Sequence, residues 1–164
     1  MKRYIHYGHK HFDKNLFMNI HNSMFTKPNG WLWASDIESK YSWKNWCEEN
    51  NFRECDEDCS FTFQLSEETK ILKIDHVEVL KVLPKYKSEF DMPTWILLDF
   101  EKLSHKYDAI EVNISSDDEL YYKLYGWDCD SILIMNPDVV QEFQRWNPAF
   151  KERRLLWQEK QRKN

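Results

Sequence analysis

The chain has 164 residues, 41% hydrophobic and 31% charged, which predicts a single soluble domain spanning 1–164. Its formal charge of −5 argues against a general nucleic-acid-binding surface, although the C-terminal stretch KERRLLWQEKQRKN is locally basic. The opening MKRYIHYGHKHF lacks the apolar run of a signal peptide, and no segment reaches transmembrane length, so a cytoplasmic protein without membrane contact is expected.

In chain order, RYIHYG (residues 3–8) reads as a short first strand, and KHFDKNLFMNIHNSMF as a loop or irregular helix. WLWAS (31–35) alternates as a strand that ends at Asp36. A helix follows in DIESKYSWKNWCEENN, with Asp36 or Ser39 as cap and Trp43, Trp46 and Cys47 at i, i+3, i+4. SFTFQL (60–65) and KILKID (70–75) read as strands, whereas HVEVLKVLPKY fits either a strand or a helix. After Pro93, TWILLDFEKLSHKY predicts a helix at least from Leu98 on. DAIEVNI (108–114) and SILIMN (131–136) predict strands. The second is continuously apolar, so it belongs inside the sheet, and Pro137 ends it. A polar helix is expected over about 139–164, outside a core of about 3–140.

The expected class is therefore α+β, with a mixed or antiparallel sheet split into two parts and flanking helices. Regular βαβ alternation is missing. None of GxGxxG, GxxxxGK, HExxH or GxSxG occurs, which removes the common nucleotide, metalloprotease and hydrolase signatures. The four cysteines, Cys47, Cys55, Cys59 and Cys129, are expected as reduced thiols. CDEDC has three residues between its cysteines, and no partner pair stands at zinc-ligand spacing, so no metal is expected. His6, His9 and His11 cluster near the start and read as a surface feature or a weak metal site.

The order of NGWLWAS, then SKYSWKNWC, resembles the core of the ADP-ribosyltransferase fold in its diphtheria-toxin and poly-ADP-ribose polymerase branch. In that branch a glycine precedes a strand carrying one aromatic ring, a helix brings a second, and both stack on the nicotinamide of NAD. The resemblance implies Gly30 or Trp31 at the turn, Trp33 as the first ring and Tyr41 as the second. YIHYG is similar to the family's first-strand histidine segment, which makes His6, with Tyr7 beside it, the candidate ribose contact. YDAIEV…GWDCDSILIMNPDVV looks like the family's closing pattern, an acidic residue opening a strand that ends in Asn-Pro. The resemblance further implies a toxin-like, NAD-dependent transferase acting on a macromolecular acceptor, protein or nucleic acid. NAD would be the substrate.

Two departures accompany the likeness. Tryptophan stands where the family's first ring is usually tyrosine, and its glutamate has no exact match. Asp130 lies nearest, Asp128 shares its strand face, and Glu111 stands on the preceding strand. Cleavage of NAD passes through an oxocarbenium-like state that needs an opposed carboxylate. Asp130 is the first choice for that role and Glu111 the reserve, with Ser35 available to steady a carboxylate or a ribose hydroxyl. The residues taken singly also fit plainer roles. Trp33, Trp43 and Trp46 suit a core, Asp128 and Asp130 suit a loop cap, and Glu111 suits an outward strand position. A non-catalytic binding module with an aromatic cleft is the alternative from another class.

Overall fold

The computed structural model describes residues 2–30, 32–89 and 93–143. Seven short strands form one sheet, and the helices between them are few and short. In chain order the elements are β1 (Tyr4–Tyr7), β2 (Leu32–Asp36), α1 (Trp43–Glu49), β3 (Ser60–Leu65), β4 (Ile71–Ile74), α2 (Val79–Val82), α3 (Phe100–Ser104), β5 (Ala109–Val112), α4 (Asp118–Lys123), β6 (Ser131–Ile134) and β7 (Val140–Phe143). The sheet order is β4-β5-β6-β2-β1-β3-β7. Only β4 and β5 run parallel; every other neighbouring pair is antiparallel. The class is thus mixed α+β, and the apolar run in SILIMN does lie inside the sheet, between β5 and β2.

Alternation along the strands assigns the two faces. Trp33 pairs with Leu133 and Leu133 with Ile110, so these three share one face. There they join a cluster with Ile74, Phe100, Leu120 and Trp127, against which α2, α3 and α4 set Leu80, Leu103 and Leu120. Ala34, Ile132 and Glu111 share the opposite face. Around them Tyr4, Leu32, Phe61, Phe63 and Ile134 make the second core, covered by Phe12 and Phe17.

The join between β1 and β2 positions the site. The ladder holds only two pairs, Tyr4 with Asp36 and Ile5 with Ser35. At the next position the His6 imidazole bonds the Trp33 carbonyl at 2.7 Å in place of a strand partner. A side chain therefore completes what backbone does elsewhere in the sheet.

Several local expectations are corrected. Helix α1 is capped by Ser42, not by Asp36 or Ser39. The Asp36 carboxylate instead takes the Glu38 amide, and the Ser39 hydroxyl takes the Tyr41 amide, so both shape the preceding turn. Helix α3 starts at Phe100 rather than Leu98, because Leu98 bridges to Lys85 and Asp99 caps the helix. The helix expected from about 139 is a strand where it is described: β7 pairs with β3. The rest of that segment lies outside the described residues. Helix α4, which the sequence patterns did not predict, is capped by Asp117, whose carboxylate takes the Glu119 amide and also the Val77 amide.

Candidate functional site

Beside the gap between β1 and β2 lies a cleft of about 270 Å³. Two indoles from separate elements line it. Trp33 comes from β2, and its ring meets Trp127 edge-on at 4.7 Å. Trp127 has no exposed surface, and its Nε1–H donates to the Thr26 carbonyl, so Trp33 rests on a fixed support. Trp43 opens α1 and stacks on Trp46 at 5.2 Å, with Phe52 against its edge. Ser35 ties the two elements together. Its hydroxyl accepts the Trp43 amide at 2.9 Å and donates to the Asp130 carbonyl at 3.2 Å. At 1% exposure, its hydroxyl is spent on the fold.

Two cations stand over the rings. The Lys27 ammonium lies 5.4 Å from the Trp33 ring centre and 6.0 Å from that of Trp43. The Arg53 guanidinium lies 5.4 Å from Trp43. Lys27 also pairs with Asp128 at 3.2 Å, whereas Arg53 makes no ion pair among the described residues. No aspartate or glutamate lines the cleft. Burial, with the nearby His9 and Arg53, holds the His6 pKa below the ordinary histidine value, so the ring is neutral at neutral pH. Because a carbonyl only accepts, Nδ1 carries the hydrogen, and Nε2 is left to accept from His9 Nδ1, 3.0 Å away. Burial pushes the Cys129 thiol at the cleft up to about 12, so it stays protonated and is a poor nucleophile.

His6, Tyr7, Trp33 and Ser35 thus come together, as lining of one cleft. Tyr41 does not join them. It is 60% exposed, and the described lining has Trp43 as its second ring, two residues further on. Gly30 serves the turn before β2: its φ is +94°, and an added Cβ would stand 2.8 Å from the Asn19 carbonyl. Trp31 lies outside the described residues.

The two carboxylates chosen from sequence line a second cleft, of about 330 Å³. Glu111 faces away from Trp33 by strand alternation, yet it is not an outward strand residue: it is 4% exposed. Its Oε1 accepts from Lys2 at 2.9 Å and from Tyr4 at 3.1 Å. Asp130 accepts from the Ser115 amide and hydroxyl and from the Ser39 hydroxyl, which fastens three loops. Sequence patterns did not single out Lys27 and Arg53. Each stands in a loop where sequence gives no sign of a ring partner. Among the described residues, no group of three or more His, Cys, Asp or Glu side chains is arranged to hold a metal ion. No helix among them is long and apolar enough to cross a membrane. Comparison with protein-family models, with curated proteins and with solved structures finds no match in any of the three, so the cleft's chemistry is the ground on which function is argued.

Proposed function

We propose that the protein is a nucleotide-binding module whose Trp33–Trp43 cleft holds a flat base by stacking, with NAD the first ligand to test. The observation that carries this reading is a pair of indoles in one cleft under two cations, with no carboxylate in the lining. Indole faces stack on any nucleobase, at about 1–3 kcal/mol per base. Ammonium and guanidinium groups beside them suit phosphate. A volume of about 270 Å³ is near the lower bound for ligand pockets, and suits one base with its sugar better than a whole dinucleotide.

Transfer of ADP-ribose from NAD to a macromolecular acceptor, on an ADP-ribosyltransferase-like fold, is the second reading. What favours it is that His6, Tyr7, Trp33 and Ser35 share a cleft in the order the family resemblance implies. It requires a carboxylate opposite the breaking bond. Asp130 and Glu111 are committed to the other cleft. Asp128, paired at 3.2 Å with the Lys27 that stands over the rings, is the acid that reading would use.

Titration calorimetry with NAD and with adenine nucleotides tests the first reading. Binding is expected in the wild type and a loss of at least tenfold in Trp33→Ala. Equal affinity in the two proteins would mean that the ligand does not use this cleft. Release of free nicotinamide from NAD by the wild type, lost in Asp128→Asn but kept in Asp130→Asn and Glu111→Gln, would establish the second.

A further inference from the structure

We infer that the cleft selects an uncharged ring bearing a phosphate, that Arg53 anchors that phosphate, and that the cationic pyridinium of oxidised nicotinamide is the disfavoured occupant. The inference rests on the stacking reading and sharpens it. A bare indole face attracts a positive ring through its quadrupole. Here two cations already stand near the rings. Lys27 stands within 6.0 Å of both ring centres, and Arg53 within 5.4 Å of Trp43. A pyridinium in the cleft would meet the full charge of Arg53 and that of Lys27, partly offset by Asp128, both placed 5.4–6.0 Å from the ring centres. Repulsion between charges at that range in a partly dry cleft exceeds the attraction of a ring quadrupole.

The other groups do not reverse the sign. The lining includes no carboxylate. Asp128 offsets Lys27, with which it is paired at 3.2 Å, and leaves Arg53 without an ion-pair partner among the described residues. His6 is neutral and adds no charge of its own. An unpaired guanidinium at the rim of an aromatic slot, with a planar fork of donors, matches a phosphomonoester joined to a stacked base. A neutral purine gains the stacking without the repulsion, and its phosphate gains Arg53.

Calorimetry with four ligands tests this: AMP, adenosine, and nicotinamide mononucleotide in its oxidised and reduced forms. The last two differ chiefly in the charge on the ring. The reduced form is expected to bind at least tenfold more tightly than the oxidised form, and AMP at least tenfold more tightly than the oxidised form. Arg53→Gln, at an exposed position, should weaken AMP at least tenfold and change adenosine less than twofold. Oxidised mononucleotide binding as tightly as reduced would overturn the charge selection and leave the stacking reading standing. An unchanged AMP affinity in Arg53→Gln would overturn the phosphate assignment alone. No binding of any of the four, or binding that survives Trp33→Ala, would overturn the stacking reading itself.

Discussion

His6 is the residue in which fold and cleft meet. Its Nδ1–H replaces a strand hydrogen bond to the Trp33 carbonyl, while its ring lines the cleft. Burial is the largest influence on its pKa and lowers it. The unfolded chain, with an ordinary histidine pKa of about 6.5, therefore takes up the proton first as pH falls. The stability that neutral His6 contributes is complete above about pH 6.5 and is lost as pH drops through the folded value. His6→Asn keeps a donor for the carbonyl without a titrating ring. Urea midpoints between pH 7.5 and 5 should fall more steeply in the wild type than in the variant. Parallel curves would show that His6 carries no such linkage.

Among the elements, the short helices depend on their caps, because so few turns cannot form on propensity alone. Helix α3 is an example. Burial works to raise the Asp99 pKa, but hydrogen bonds from the Lys102 and Asn22 side chains and the Lys102 amide outweigh it and hold the carboxyl below its usual value. Asn22 returns the contact by accepting the Phe100 amide at 2.7 Å. Asp99→Ala is expected to lower stability by about 1–2 kcal/mol, the range for losing an N-cap. That loss should shrink as pH falls below about 3.9, where the unfolded chain's carboxylate takes up its proton first, and fade as pH drops through the lower folded value. Thermal denaturation of both proteins at pH 7 and pH 3 measures the two effects; an equal gap at both would separate the cap from its charge. These helices were hard to read in the sequence for the same reason. Leu98 is apolar and helix-compatible, but its bridge to Lys85 holds it outside α3.

Across the whole molecule, stability should follow position in the sheet. Strands β6 and β2 are inner, with buried residues on both faces, whereas β4 and β7 are edges. Edge strands leave half their backbone groups without sheet partners and open with less loss of packing. Amide exchange is thus expected to be slowest at Ile132 and Ile134 and faster along β7. Protection of the β7 amides as strong as that of β6 would mean that β7 is not an edge. The same order explains why one cleft has aromatic and basic lining and the other acidic. Alternation sends Trp33 to one face and Glu111 to the other, while the Trp33 cleft, at the gap between β1 and β2, also takes in His6 and Ala34 from the Glu111 face.

By itself the sequence determined the α+β class, the strand 60–65, a strand starting at 131 that ends at Ile134 rather than Asn136, the inner place of that strand, and a set of residues that do meet: His6, Tyr7, Trp33 and Ser35. Strand alternation and apolar runs are local signals, so they survive without knowledge of the fold. Only tertiary structure decided the rest. Trp43 rather than Tyr41 joins Trp33 in the cleft, because Ser35 pulls the Trp43 amide onto β2. Lys27 and Arg53 converge on rings that no sequence pattern pairs with them. Residues 140–143 form a strand because β3 offers an open edge to pair with. Glu111 is buried because Lys2 and Tyr4 neutralise and bond its carboxylate across the sheet. Pairing across more than a hundred residues leaves no periodic trace in the sequence, so a charged strand residue reads there as solvent-facing until its partners are in place.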